Sequence, residues 1–142
     1  MSFQGLYALS SQSMFVQDVR INTVAGNLVN ADVAASSENQ VYQTQDVVLG
    51  PARVGTLFSA SGSSALFGVM VNEIIRSDKP VNVRYQPDHP MADKDGRVFY
   101  PAIDRAEQMA NMMSAARSFD TAVSLFSTGR QMQDRLIDLI NL

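Results

Sequence analysis

The side chains in this sequence that could do chemistry are few, and most lie between residues 85 and 100. His89 is the only histidine and stands in the run Pro87-Asp88-His89-Pro90. A catalytic or metal-binding histidine needs acidic or thiolate partners at ligand spacing, and no such set is evident around it. We therefore expect His89 to be a loop residue without a catalytic role.

Other motifs that suggest chemistry are incomplete. Asp93 and Asp95 resemble the first half of a calcium-binding loop, but the chain continues through Arg97–Tyr100 without the later ligands. Gly62 and Gly68 have no following lysine and hydroxyl residue, so they do not form a phosphate-binding loop. Four methionines have the spacing of adaptable packing residues rather than of a soft metal site: Met109, Met112, Met113 and Met132. The sequence predicts no enzyme activity, cofactor, metal or small-molecule substrate.

Composition indicates a folded protein with one modest core. Of 142 residues, 46% are hydrophobic and 18% charged, which is typical of globular rather than disordered chains. The net charge of −3 is too small to direct binding to nucleic acid. No apolar run is long enough to span a bilayer, and the chain has no cysteine. Residues 1–17 carry no charged side chain and lack the basic start of a secretory signal, so we expect an uncleaved N-terminus.

The first zone, residues 1–31, has the pattern of a helix. Tyr7, Met14, Ile21 and Leu28 recur every seven residues, which is the spacing of a seam against a partner helix. Asn30 is a plausible helix stop because asparagine tolerates the left-handed conformation that commonly ends helices.

The middle zone, residues 32–101, holds all five prolines and most of the glycines. Four valine-rich or aromatic runs predict strands, over residues 41–49, 67–76, 81–85 and 97–100. The serine-rich stretch Ser59–Ser64 predicts a flexible loop. We therefore expect a small β-rich domain.

The last zone, residues 102–142, predicts one long helix over about residues 103–141. Asp104 and Glu107 resemble a capping box at its start. Apolar residues at two heptad positions form one seam along this helix. A second set of apolar residues lies on a different face. The residues predicted to pack between helices or subunits are Ile21, Leu28, Met109, Met112, Ala116, Phe119, Val123, Phe126, Leu136 and Leu139.

The length of that helix has a consequence. About 38 residues make a helix of roughly 57 Å, whereas a compact chain of this size has a radius of gyration of about 15 Å. The helix must therefore project, paired with the first helix. Because it is apolar on two faces, we expect neighbouring molecules to cover the second face. The fold class is α+β, with a coiled-coil-like helix pair and an inserted β-rich domain.

Both ends of the sequence resemble a known family. Asn27-Leu28-Val29-Asn30 is similar to an Asn-Leu-x-Asn element that closes the first helix of flagellar axial proteins. Tyr85-x-Pro87-x-His89-Pro90, followed by Arg117 within Ser114–Phe119, resembles the FlgC family of proximal rod proteins. These segments cover about half of the chain in the family's order.

The resemblance implies a structural subunit of the bacterial flagellar rod. Its partners would be copies of itself, other rod subunits and the flagellar type III export apparatus, and its place would be the basal body. It implies that the paired helices line the inner wall of a tube, that the middle zone faces outward, and that the rod transmits motor torque to the hook. Two alternatives are a different rod or hook subunit and a cytoplasmic helical adaptor or chaperone that binds partner helices through the same stripes.

Overall fold

Along the sequence, one long helix comes first, two antiparallel two-stranded sheets follow, and a second long helix comes last. The structure is a computed structural model that describes residues 3–59 and 62–140. Its elements are helix α1 (Phe3–Asn30), a 3-10 turn (Glu38–Gln40), strands β1 (Gln45–Ser59), β2 (Gly62–Arg76), β3 (Asn82–Tyr85) and β4 (Arg97–Tyr100), and helix α2 (Arg105–Ile140). The α+β class, with terminal helices around a β-rich middle, is confirmed.

The helix ends lie close to their predicted positions, but one ends by a different mechanism. Asp104 begins α2, because its carboxylate accepts hydrogen bonds from the backbone amides of Ala106 and Glu107. At the end of α1, the side-chain amide of Asn30 donates to the carbonyl of Gly26 at 2.8 Å. Among the described residues only Gly96 has positive φ, so the predicted left-handed conformation at Asn30 is wrong.

Helices α1 and α2 form an antiparallel pair. Near one end the Tyr7 hydroxyl donates to Gln133 at 2.7 Å, and near the other the side-chain amide of Asn27 donates to Gln108 at 3.0 Å. At about 1.5 Å per residue, α1 is roughly 42 Å long and α2 roughly 54 Å. The last two turns of α2, residues 134–140, therefore extend past the described start of α1.

The seam of α2 has the predicted period but a different phase. Its buried residues are seven apart: Gln108, Ala115, Ala122 and Gly129. The predicted positions Met109 and Val123 lie one residue further along and are 53% and 42% exposed, so neither is buried between α1 and α2. Small side chains let two helices approach closely, and this approach leaves the larger neighbours on the flanks of the pair.

Gly129 shows how closely the helices pack. A Cβ atom built there would lie 2.6 Å from Cδ2 of Leu6 on α1. Glycine within a helix costs about 1 kcal/mol relative to alanine. Here that cost coincides with a position where a side chain on α2 would meet Leu6 on α1.

Strands β1 and β2 pair as a two-stranded ribbon, from Gln45 opposite Arg76 to Ser59 opposite Gly62, with register shifts between Val48 and Leu49 and between Arg53 and Gly55. Strand β1 begins four residues later than predicted, at Gln45, but is longer because it runs on to Ser59, and β2 is longer because it extends back to Gly62. The predicted loop over Ser59–Ser64 is therefore replaced by strand at both of its ends, and residues 60 and 61 lie outside the described part. Pro51 and Gly50 stand inside β1, where a two-stranded ribbon leaves outward amides unpaired and so tolerates proline.

The second sheet consists of β3 and β4, and Ala35 extends it through two backbone hydrogen bonds with Phe99. Gly96, at φ +72°, turns the chain into β4. Any larger residue there would also meet the ring of Tyr85, since a Cβ would lie 2.9 Å from Cε2. Val98 and Tyr100, which are two residues apart on β4, have buried side chains.

Within the described residues, neither helix contains a stretch apolar enough to cross a lipid bilayer.

The close approach at Gly129 predicts the effect of a larger side chain. Gly129→Leu should lower the free energy of unfolding by about 1–3 kcal/mol, because the added side chain forces α1 and α2 apart. Chemical denaturation of the dilute monomer, followed by circular dichroism, measures this change. Ser127→Leu, at an exposed position two residues away, is the matched control and should change stability by about 0.5 kcal/mol or less. Equal effects of the two substitutions would contradict the close packing.

Candidate assembly surface and its buried anchor

The side chain of Asn27 joins three parts of the fold. It is 0% exposed, and its oxygen accepts hydrogen bonds from the Gln45 amide at 2.9 Å and the Tyr42 hydroxyl at 3.0 Å. Its amide nitrogen donates to the Gln45 carbonyl at 2.8 Å and to Oε1 of Gln108 at 3.0 Å. All four hydrogen-bonding positions of the asparagine side chain are therefore used. We call Asn27, Tyr42, Gln45 and Gln108 the Asn27 cluster.

The sequence motif around Asn27 therefore has a tertiary role. The resemblance implies that Asn27 and Asn30 close the first helix, but only Asn30 lies at its end. Asn27 binds both backbone groups of Gln45, the first residue of β1, which is 18 positions away in the sequence. Only an amide side chain can donate and accept in this way within a fully buried site.

The same surroundings shift the pKa of the Tyr42 hydroxyl. Burial raises the pKa of its hydroxyl above the ordinary value of 10.0, while the positive charge of Arg76 acts in the opposite direction. The protonated hydroxyl is the form that donates to Asn27. Burial and the hydrogen bond thus favour the same neutral state.

An exposed ion pair adds a second link between the helices, joining Arg105 at the start of α2 to Asp32 just after α1. An exposed pair of this kind contributes about 0–1 kcal/mol. The buried Asn27 cluster is therefore the stronger tie at this end of the helix pair.

The residues predicted for helix packing divide into three groups. Met112 and Phe119 are half-buried, and Phe126 lies with its ring 5.0 Å from that of Tyr7, so these three border the seam. Ile21, Leu28 and Ala116 are also half-buried. The exposed ones are Met109, Val123, Leu136 and Leu139.

Exposed and half-buried apolar residues of α2 form two stripes, one on either side of the seam. On helical geometry, Met109, Ala116 and Val123 follow one flank, at seven-residue spacing. The other flank carries Leu125, Met132, Leu136 and Leu139. We call these two flanks together the α2 stripes. They make α2 apolar over much more of its circumference than α1 covers.

The stripes continue onto the end of α2 that extends past α1. There Leu136 is 48% exposed and Leu139 is 67% exposed. Exposed clusters of large apolar side chains on a monomer mark surfaces that other molecules cover.

The loop that joins β3 to β4 explains the second motif. Nδ1 of His89 accepts the backbone amide of Met91 at 3.1 Å, and the His89 amide donates to the Gln86 carbonyl. Pro87 packs near Gly96, while Tyr85 is 74% exposed and Pro90 is exposed. His89 thus shapes two consecutive turns, which is a structural use of its ring nitrogen.

Arg117 lies exposed on α2, away from the seam. Its carbonyl accepts the Thr121 hydroxyl at 2.8 Å, and no side-chain partner of its guanidinium is found in the described chain. No described contact tests its role in the family motif.

The acidic side chains do not gather into a metal site. Asp93 and Asp95 both contact the guanidinium of Arg97, at 3.4 and 2.8 Å, in an exposed turn. Residues 3–59 and 62–140 contain no group of three or more histidine or acidic side chains placed to hold a metal ion.

Comparison with known proteins gives the class and then the family. A family model described as the C-terminal region of the flagellar basal body rod FlgEFG proteins matches residues 96–139, which include all of α2 except its last residue. By this match, the part of the chain that contains β4 and α2 is similar to the C-terminal region of flagellar basal body rod proteins.

Individual relatives narrow this class. The flagellar basal-body rod proteins FlgC of Escherichia coli O6:H1 and of Salmonella typhimurium are each 30% identical over 139 residues, covering 98% of this chain and 98% of the relative. FlgC of Borreliella burgdorferi is 24% identical over 135 residues, covering 87% of this chain and 88% of the relative. The chain belongs to the FlgC family of flagellar basal-body rod proteins and is a structural subunit of the rod.

The buried seam of α2 and the residue Tyr42 could not be predicted from hydrophobicity alone. Gln108 is polar and lies deep in the seam, and Ala115, Ala122 and Gly129 are less hydrophobic than their neighbours. Their sequence signal is the run of one polar residue and three small residues at strict seven-residue spacing. Tyr42 carries no periodic signal, because it lies in the irregular segment between the 3-10 turn and β1.

The Tyr42 hydroxyl provides a pH-dependent test of the cluster. Tyr42→Phe should lower the free energy of unfolding by about 1 kcal/mol near pH 8, since it removes one hydrogen bond. The wild-type advantage is fully present below pH 10 and should shrink as the pH rises towards the raised pKa of folded Tyr42, because the folded state disfavours the phenolate. Urea denaturation of both proteins between pH 8 and pH 11 measures this difference. A difference that stays constant over the whole range would contradict the assignment.

Proposed function

We propose that this rod subunit assembles helically with copies of itself and with other rod proteins, through the α2 stripes, and transmits torque from the motor to the hook. In this proposal residues 1–31 and 102–142 form the inner core domain of the assembly. Residues 32–101 form an outer β-rich domain. The chain reaches its site through the flagellar type III export apparatus without cleavage of a signal peptide, and the assembled rod crosses the periplasm.

The observation that supports this proposal most is the unequal coverage of α2. Its seam of Gln108, Ala115, Ala122 and Gly129 is buried by α1, while large apolar side chains on both flanks are exposed. A monomeric protein gains nothing from keeping such side chains in water. A subunit surrounded by neighbouring helices buries them at every contact.

The part of α2 that extends past α1 should contribute the most free energy of assembly per residue. Full burial of a leucine or methionine side chain gains about 1.5–3 kcal/mol, so covering a half-exposed one gains roughly 1 kcal/mol. Association itself costs about 4–15 kcal/mol in lost freedom of motion. Several side chains must therefore be covered together, which favours a cooperative assembly over a single binary contact.

Torque transmission requires a rigid subunit, and three features support rigidity. The helix pair is closely packed at Gly129, Gln45 at the start of β1 is tied to α1 through Asn27, and the loop containing His89 is fixed by backbone hydrogen bonds. A load applied to the helices of one subunit would therefore reach its β-rich domain without unfolding an intervening linker.

Substitution on the α2 stripes tests the proposal in cells. Leu136→Asp should remove the chain from isolated basal bodies and abolish motility, because a carboxylate cannot be buried in an apolar contact without a partner. The free protein should still fold, since Leu136 is exposed in the monomer. Gln131→Asp introduces the same charge on the polar side of α2 and is the matched control. Mass spectrometry of detergent-extracted hook–basal bodies measures incorporation of each variant.

The wild-type chain should be present in those basal bodies at levels well below that of hook protein. A chain found only in the cytoplasm would support the adaptor or chaperone alternative. Normal incorporation of Leu136→Asp would contradict assembly through the α2 stripes while leaving the family membership intact.

A further inference from the structure

Helix α2 and the ribbon of β1 and β2 are separated by a gap. A cavity of about 180 Å³ lies between α1, β1 and α2, and its walls include Arg20, Asp46 and Asn111. Both strands of the ribbon contact α1. Contact between the ribbon and α2 therefore depends on what bridges this gap.

The bridge is the Asn27 cluster. The Asn27 amide nitrogen donates one hydrogen to Gln108 on α2 and the other to the carbonyl of Gln45 on β1. The same planar amide group thus links the two elements on opposite sides of the gap. Because Asn27 is fully buried, water cannot replace either partner without opening the site.

Gln45 is the root of the ribbon. It is paired with Arg76 at the end of β2, and the next pair of bonded residues, Ser77 and Thr44, is joined by a backbone hydrogen bond of 2.8 Å. Fifteen residues per strand, at about 3.3 Å each, make a lever of roughly 50 Å. A rotation of about 10° at the root would move the far end of the lever by roughly 9 Å.

We propose that Asn27 is a latch that couples docking of α2 on α1 to the orientation of the β1–β2 ribbon. When α2 docks, Gln108 occupies the last free hydrogen-bonding position of Asn27 and holds its amide plane in the orientation that binds Gln45. When α2 is undocked, Gln108 no longer holds the amide plane of Asn27, and water can reach the side chain and compete for its bonds to Gln45. That competition loosens the root of the ribbon.

With this latch, α2 must dock on α1 before the β1–β2 ribbon takes its final orientation. A chain whose helices are not yet paired presents a ribbon that is held by its contacts with α1 alone. A chain whose helices are paired presents the ribbon at one angle to the helix axis. The inference concerns the free chain, so it stands or fails independently of the assembly proposed above.

Hydrogen exchange on the full chain tests the latch. Gln108→Met keeps the length of the side chain but removes the acceptor for Asn27. The amides of Gln45 and Ser77 should then exchange about tenfold faster than in the wild type, the effect expected when a buried hydrogen bond is lost. The amides of Val16 and Ala122, in the middle of the two helices, should change by about twofold or less.

Asn111→Met is the matched control, because it removes an amide from the same cavity wall without touching Asn27. It should leave exchange at Gln45 and Ser77 at the wild-type rate. If Gln108→Met does not fold, Gln108→Ala is measured instead. The amides of Gln45 and Ser77 should again be accelerated more than those of Val16 and Ala122. Wild-type exchange at the ribbon root would overturn the latch. An equal acceleration at the root and in both helices would also overturn it, because it reports a general loss of stability.

Discussion

The hydrogen bonds of one buried asparagine set the relation between the helices and the sheets. Asn27 lies three residues before the end of α1, at a point where α1, the start of β1 and the first turn of α2 meet. A buried amide that has all of its partners contributes a modest amount to stability, whereas one that loses a partner costs about 1–3 kcal/mol. This asymmetry selects one arrangement of the three elements and penalises any other. The Asn-Leu-x-Asn element is therefore a constraint on tertiary structure more than a signal to end a helix.

The helix pair extends this constraint over about 40 Å. Small residues at Ala115, Ala122 and Gly129 allow α2 to lie close against α1, and the close approach turns the larger side chains to the flanks. Along α2, small residues are thus buried against α1, whereas large apolar side chains such as Leu136 and Leu139 are exposed. In the function proposed above, these exposed side chains are the ones that neighbouring subunits cover.

Much of the architecture could be predicted from the sequence because its signals are local. The cap at Asp104 and the period of seven in α2 each depend on residues within a few turns of one another, and the start of α2 follows from the cap. The phase of the seam could not be predicted in this way. Hydrophobicity favoured Met109 and Val123, whereas the geometry of close packing favoured Gln108 and Ala122.

The ribbon and the anchor illustrate a second limit. Serine and glycine at residues 59–64 are typical of a loop, but pairing with the opposite strand extends β1 and β2 into that stretch. Cross-strand pairing is a long-range effect that overrides local propensity. The partners of Asn27 are likewise distant, since Gln108 follows it by 81 positions. Single-sequence patterns carry no information about such a contact.

The side-chain amide protons of Asn27 report most directly on this account. In a proton–nitrogen NMR spectrum of the isotope-labelled chain they should give two resolved signals, with nuclear Overhauser contacts to Gln45 and Gln108. They should exchange with solvent only as fast as the helix pair opens. Rapid exchange, or the absence of contacts to both partners while the helices remain folded, would show that Asn27 does not hold the helices and the ribbon together.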